Sequence, residues 1–212
     1  MQSLRLIVVR HGETDWNAVA RIQGQIDIGL NDKGRWQAGR LAQALADEPV
    51  DAIYSSDLAR AHQTADAVAR VTGVAITPTP GLRERVFGNF EGKTFAEIDA
   101  LWPEQAQAWR KRVPDFAPEG GESLLQFQRR VLGVVQTLVT RHAEGQILLV
   151  AHGGVMDLLY RAATGQELQA PRTWLLGNAA INRLLHTPSG LTLVGWADTQ
   201  HLDDAALDEA AA

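Results

Sequence analysis

The sequence predicts an α/β protein: a three-layer α/β/α sandwich with a mostly parallel sheet and a C-terminal antiparallel hairpin or edge strand. Three observations carry this. Short apolar runs alternate with longer amphipathic stretches through most of the 212 residues. Those runs are nearly continuously apolar, as strands covered on both faces are. Capping residues and glycines fall where the amphipathic stretches begin and end. Helices between strands act as crossovers, which is what parallel pairing requires.

Taken in order, Leu4–Val9 reads as the first buried strand. Asn31 or Asp32 caps a helix to about Leu45, with Trp36, Leu41 and Leu45 on or near its inner face. Ala52-Ile53-Tyr54 is a short strand, and Asp57 caps a helix to about Thr72 that stops at Gly73. Val74–Thr77 is the third strand. Ser123-x-x-Gln126 has capping-box spacing and opens a helix with Leu124, Phe127, Val131, Val134, Val135 and Leu138 at helical intervals. Gly145 closes that helix, Ile147–Val150 is the fourth strand, and Gly154–Thr164 is a helix followed by Gly165. Ala180–Leu185 and Leu191–Trp196 flank Pro188-Ser189-Gly190 as a hairpin. The stretch Phe87–Pro118 breaks the rhythm with Phe87, Phe90, Phe95, Trp102, Trp109 and Phe116 and two expected short helices. It reads as an insert that either partly covers a site or packs its aromatics into a small core of its own. One domain over 1–198 with this insert, then an acidic, Ala-rich tail over 199–212, is the expected organisation; no Pro/Gly/Ser-rich linker divides the chain.

Composition narrows the function. A net charge of −5 and a pI near 5.7 argue against nucleic acid as the main partner. The absence of cysteine removes disulfides and thiolate metal sites, and fits a reducing compartment such as the cytoplasm. Leu6–Val9 is too short for a secretory h-region, and no apolar run reaches membrane-spanning length, so no membrane association is expected. An acidic protein that binds an anion must concentrate positive charge locally.

Ligands of open parallel sheets bind beyond the carboxyl ends of the strands. Arg10-His11-Gly12-Glu13-Thr14, with Asn17 three residues on, follows the first strand; Ser55, Ser56 and Arg60 follow the second. Leu82-Arg83-Glu84 follows the third, and Ala151-His152-Gly153-Gly154 the fourth. Four segments therefore deliver polar groups to one rim, in the types that phosphoryl transfer needs. Imidazole is a good nucleophile when neutral, and Arg10 and Arg60 disfavour protonation of His11. Arg10, Arg60 and a protonated His152 can clamp the phosphate, with Gly153 adding an N–H at a helix N-terminus. Glu84 is the candidate acid for the leaving oxygen.

On these residues the chain resembles the histidine phosphatase superfamily, on its phosphoglycerate-mutase-like branch. The likeness runs through Arg10–Thr14 with Asn17, Gln23-Gly24, Ser55-Ser56-Asp57-Leu58-Ala59-Arg60-Ala61-His62-Gln63-Thr64-Ala65, and Leu82-Arg83-Glu84 into Phe87-Gly88 and Glu91-Gly92. It ends with Gly121-Glu122-Ser123 and Ala151–Gly154, in order over nearly the whole chain. The resemblance implies a phosphohistidine on His11, phosphate contacts from Arg10, Asn17, Arg60 and His152, proton transfer by Glu84, and a substrate-facing position for Gln23 beside Gly24. It also implies that the Gly12 carbonyl orients the His11 ring. No metal or organic cofactor is expected. Mutases of the branch carry a longer segment after the acid with a Tyr-Gly-Gly-Leu-like start. Phe87-Gly88-Asn89-Phe90-Glu91-Gly92 stands there instead, which favours a phosphomonoester hydrolase acting on small phosphorylated metabolites. A phosphoglycerate mutase using the same intermediate is the alternative, and a phosphate-binding module without turnover a lesser one. Sugar phosphates, phosphoglycerate derivatives and alpha-ribazole phosphate are candidate esters, and relatives occur as monomers and homodimers.

Competing readings of single residues are weaker. His11 beside Arg10 is a poor metal ligand, and no His-Glu-x-x-His helix occurs. His62, His142, His186 and His201 read as surface or packing residues. Glu84 between Arg83 and Arg85 has an ordinary ion pair as its bland reading, and Glu122 favours a helix dipole. Glu13 is expected to hold an Arg or a backbone group behind the site. Arg83, Arg85, Arg110, Lys111 and Arg112 form a possible basic approach, most of them simply solvated. Gly88–Thr94 imitates a phosphate-binding Walker loop but is one residue short and follows no strand.

Overall fold

The computed structural model describes residues 3–203. Its six strands are β1 (Leu4–Arg10), β2 (Ala52–Ser55), β3 (Ile76–Pro78), β4 (Gly145–Ala151), β5 (Ile181–Thr187) and β6 (Gly190–Asp198). They form one sheet in the order β3-β2-β4-β1-β5-β6. The first four pair in parallel, whereas β5 runs antiparallel to β1 and β6 closes the edge as the hairpin partner of β5. Among the described residues seven α-helices accompany them: α1 (Asp15–Ala18), α2 (Asp32–Ala44), α3 (Ala59–Thr72), α4 (Phe95–Leu101), α5 (Pro103–Arg110), α6 (Leu124–Arg141) and α7 (Gly153–Thr164).

Strand alternation divides the core in two. Ile7, Val9, Ile53, Leu148 and Val150 face α2 and α3, packing with Leu41, Leu45, Ala61, Ala65 and Val68. Leu6, Val8, Tyr54, Ile147 and Leu149 face α6 and α7, packing with Phe127, Val131, Val135, Val155 and Leu159. The expected three layers follow from these two apolar faces. The insert holds a third, smaller core in which Ile22, Phe90, Ile98 and Ala106 meet Trp102 and Phe116.

Register determines where the site can form. Arg10 lies opposite Ala151, and Ser55 opposite Val150, so β1, β4 and β2 end level with one another. His11 and His152 are therefore each one residue beyond a neighbouring strand, and the His11 amide donates to the Ala151 carbonyl at 3.0 Å.

Several local expectations change. Asp57 does not cap α3: the cap is Leu58 with no side-chain bond, and Asp27 Oδ1 accepts from the Ala59 amide instead. Asp57 is drawn away into a bidentate pair with Arg83. Trp36 is 41% exposed, because Gln37, Ala38, Leu41 and Ala42 already fill the inner face of α2. The third strand lies two residues later at its start than its apolar residues suggest, since Ile76–Pro78 is what pairs with β2. Gly145, with its φ of +98°, opens β4 and does not close α6, which ends at Arg141 with His142 as its cap. Most of the expected acidic tail, residues 204–212, lies outside the described residues.

Candidate active site

The rim above β1, β4 and β2 opens into a cavity of about 470 Å³. His11 sits at its floor. Its Nδ1 lies 2.7 Å from the Gly12 carbonyl, which can only accept, so Nδ1 carries the proton and Nε2 the lone pair. Gly12 itself is held by its amide on Thr64 Oγ1 at 3.0 Å. The His152 ring lies across from His11 with 5.2 Å between centroids. Its Nε2 is 2.8 Å from Ser56 Oγ, while Nδ1 is buried without a partner.

Burial holds both imidazoles well below the usual histidine range, and the charges of Arg10 and Arg60 push in the same direction. For His11 this is the neutral state expected of a nucleophile. For His152 burial among cations favours the neutral ring while no anion is bound, so the expected protonated clamp belongs to the phosphate-bound state.

The two guanidiniums are anchored by carbonyls, which fixes them without neutralising them. Arg10 Nη1 donates to the Leu176 carbonyl at 2.5 Å, and its Nε is unpartnered. Arg60 is 1% exposed and donates to the carbonyls of Ile26 and Gly24, again with a free Nε. Burial pushes Arg60 down to about 10. Glycine is favoured at position 24: its φ is +53°, in the left-handed region, and an added Cβ would lie 2.1 Å from Glu91 Oε1 and displace that side chain.

Asn17 and Gln23 line the same cavity. Asn17 Oδ1 accepts from the Thr14 amide in a capping box that creates α1, leaving its NH2 end for a ligand. Gln23 Oε1 faces Thr14 Oγ1 at 3.0 Å, which orients its NH2 likewise. Gly153 begins α7, where its amide has no intrahelical acceptor.

Glu84 does not pair with either neighbouring arginine. Its Oε1 accepts from the Arg85 amide at 2.8 Å and its Oε2 from the Gly154 amide at 2.9 Å. Arg83 is taken by Asp57. Arg85 is buried on the carbonyls of Glu122 and Phe116, so it is no part of a solvated basic approach. Glu13 stands behind the site as expected but holds Lys33 and Asn31 rather than an arginine. Glu122 grips Arg130, whose guanidinium ties the carbonyls of Gly81, Arg83 and Glu84.

Eight of the nine candidate residues, His11, Glu84, Arg10, Arg60, Asn17, Gln23, Gly24 and Gly153, line this cavity; the ninth, His152, is buried beside the His11 ring and is not part of the lining. Sequence reasoning missed one wall entirely. Arg172, Trp174, Leu175 and Leu176, in the loop after α7, line it, and Asn178 Nδ2 holds the His11 carbonyl at 2.8 Å. Nothing periodic marks that loop, and its Trp-Leu-Leu run is no reliable signal, since Leu175 at its centre is 74% exposed. In the insert, Phe87, Phe95 and Trp109 line the cavity while Phe90 fills the insert core, so both readings of its aromatics hold for different residues. Among the described residues no group of three or more His, Cys, Asp or Glu is placed to hold a metal ion.

Comparison with known proteins gives concordant results. Residues 6–199 match the family model described as histidine phosphatase superfamily (branch 1). Phosphoglycerate mutase-like protein 4 of Arabidopsis thaliana is 36% identical over 203 residues, covering 94% of this chain and 87% of its own. Among solved structures, Bacillus stearothermophilus YhfR superposes with a TM-score of 0.87 at 32% identity, covering 94% of this chain and all of its own. A mycobacterial glucosyl-3-phosphoglycerate phosphatase in complex with VO3 gives a TM-score of 0.82 at 33% identity, over 92% and 99% of the two chains.

Proposed function

The chain belongs to the histidine phosphatase superfamily, and from this premise we propose that it hydrolyses small phosphate monoesters through a phosphohistidine on His11. The observation that carries the proposal is the pair of facing imidazoles, 5.2 Å apart, on a rim shared with Arg10, Arg60 and Glu84. In the first step His11 Nε2 attacks phosphorus in line with the ester oxygen. The P–N bond forms as the P–O bond breaks, and Glu84 gives its proton to the departing oxygen. Arg10, Arg60, the Asn17 amide and the Gly153 N–H take the equatorial oxygens, where charge accumulates. His152, neutral in the free protein, gains a proton as the dianion arrives. In the second step water attacks the phosphohistidine, Glu84 accepts its proton, the electron pair returns to Nε2, and phosphate leaves.

His11→Ala should lower hydrolysis of an aryl phosphate on the order of 10³-fold or more. It should also abolish acid-labile, base-stable labelling by a 32P ester on rapid quench. Wild-type rates in that variant would refute the proposal.

The likeness to a phosphoglycerate mutase-like relative supports a second reading, in which the phosphoryl group returns to bound glycerate. Hydrolysis is favoured because Phe87-Gly88-Asn89-Phe90-Glu91-Gly92, with the single turn Gly88–Phe90, follows Glu84 in place of the Tyr-Gly-Gly-Leu-like start of the mutases. Interconversion of 2- and 3-phosphoglycerate faster than phosphate release would reverse this preference. The partner is thus a small phosphorylated metabolite, taken by a monomer or homodimer without nucleic acid or membrane. The lack of cysteine supports a cytoplasmic setting, and no described helix is long and apolar enough to cross a membrane.

A further inference from the structure

Three bonds tie the loop between α7 and β5 to the end of β1. The Leu176 carbonyl accepts from the Arg10 guanidinium, Asn178 Nδ2 donates to the His11 carbonyl at 2.8 Å, and the Ala179 amide donates to the Arg10 carbonyl at 2.9 Å. The aim of Arg10 and the placement of the His11 backbone therefore depend on the shape of residues 176–179. That shape is strained at one point. Ala179 is fully buried with a φ of +56°, a left-handed backbone that alanine adopts at a cost and that its surroundings must maintain.

The brace comes from the turn after β6. His201, in the single turn Gln200–Leu202, places Nε2 3.1 Å from the Ala179 carbonyl. A carbonyl only accepts, so this nitrogen carries the proton and donates. Arg40 of α2 fixes the turn in place, donating to the His201 carbonyl at 2.7 Å and to that of Asp203 at 3.4 Å. Another bond to the loop from β6, the Trp196 indole N–H on the Leu175 carbonyl at 2.8 Å, is exposed and lies ahead of the strained residue. His201 is not part of the cavity lining and takes no part in the two chemical steps above. We propose that it is a positioning residue for phosphoryl transfer. Its N–H holds the Ala179 carbonyl, this keeps Ala179 in its left-handed conformation, and the loop in turn fixes where Arg10 and His11 meet the phosphoryl group. The inference rests on the reading of the cavity as a phosphoryl-transfer site, and gives the C-terminal turn a role in it beyond packing.

The test is equilibrium titration of the wild type, His201→Leu and His201→Gln with vanadate, beside kcat and KM on an aryl phosphate. Vanadate takes the place of the transferring phosphoryl group and needs no turnover. In His201→Leu its dissociation constant should rise about threefold to tenfold, the size of one hydrogen bond between neutral groups. The kcat value should fall by a similar factor while KM changes less, because Arg10 grips the equatorial oxygens most tightly in the transition state. A loss of folded protein would lower the number of vanadate sites and leave the dissociation constant alone, so this readout separates positioning from stability. The glutamine Nε2 stands near the place of the imidazole Nε2 and can donate, so His201→Gln should bring both values back to within about twofold of the wild type. Should His201→Leu not fold, Arg40→Ala decides instead. It frees the turn without altering the ring or the loop, and the vanadate constant should rise about twofold or more. An unchanged constant in the variant that decides, or a rise in His201→Leu that glutamine does not reverse, would overturn the assignment and leave the phosphatase intact. A wild type that neither binds vanadate nor turns over the ester would overturn the phosphatase reading, and the assignment with it.

Discussion

His11 can act as a nucleophile only with its lone pair toward the cavity, and one carbonyl, that of Gly12, decides this. Glu84 is positioned as economically: two amides, from Arg85 and Gly154, hold its two oxygens. A Cβ at Gly154 would stand 2.3 Å from Glu84 Oε1 and 2.9 Å from Phe127 Cε1, so the Glu84 carboxylate must move to admit it. Gly154→Ala should therefore displace the Glu84 carboxylate while leaving His11 in place. Alkyl esters need a proton on the leaving oxygen far more than nitrophenyl esters do, so kcat should fall about tenfold to a hundredfold on the former and less on the latter. Equal losses on both would mean that Glu84 is not the proton donor. At this scale the types of the acting residues were legible, because motifs at strand ends are contiguous. The partner of each was not. Glu84 reads as flanked by arginines, yet neither bonds it through its side chain.

Among the elements, α6 links stability to the site. Its capping box is complete, with Ser123 Oγ accepting from the Gln126 amide and Gln126 Oε1 from the Ser123 amide. One turn beyond the helix start it carries Phe127 under Gly154, and then Arg130, which ties down the carbonyls around Glu84. Ser123→Ala should cost about 1 kcal/mol, seen as a lower urea midpoint with an unchanged m-value. An unchanged midpoint would show that Glu122 and Arg130 hold this end without the cap. The box was readable from Ser123 and Gln126 alone, as a cap is a bond between near neighbours. The start of α3 was misread for the opposite reason: Asp57 has the right type for a cap, but Arg83, 26 residues away, claims it, and Asp27 caps from another loop.

For the molecule as a whole, the two buried imidazoles make stability depend on pH. Burial depresses both pKa values in the folded protein, while the unfolded chain titrates near 6.5. Between the unfolded and folded values the unfolded state binds the extra protons. Stability is thus fully present above about pH 6.5 and is lost as pH falls, by up to about 1.4 kcal/mol per pH unit for each histidine. Glu13, Glu48, Asp57 and Glu122 have lowered values and contribute only below the ordinary carboxylate range. The window from pH 6.5 to 5 therefore isolates the histidines, with half-buried His201, also lowered by burial, adding a smaller share in the same direction. Urea midpoints should fall across it in the free protein and fall less with saturating vanadate, whose charge favours the imidazolium. His201→Gln should leave most of this fall in place, and a flat midpoint in that variant without ligand would contradict the burial of the His11 and His152 rings.

By itself the sequence determined the sandwich with its mostly parallel sheet, the hairpin and the strand-end residues. Each depends on periodicity, capping or contiguity within a few residues, which short-range sterics and solvation enforce. Only the tertiary structure decided that His152 is neutral without ligand, that Arg85 is buried, that the loop at 172–178 walls the cavity, and that His201 bonds the Ala179 carbonyl. These depend on groups brought together from distant segments, such as Asn178 on His11 or Arg112 on Asp157. Burial and the competition for partners are properties of that assembly, and no local pattern encodes them.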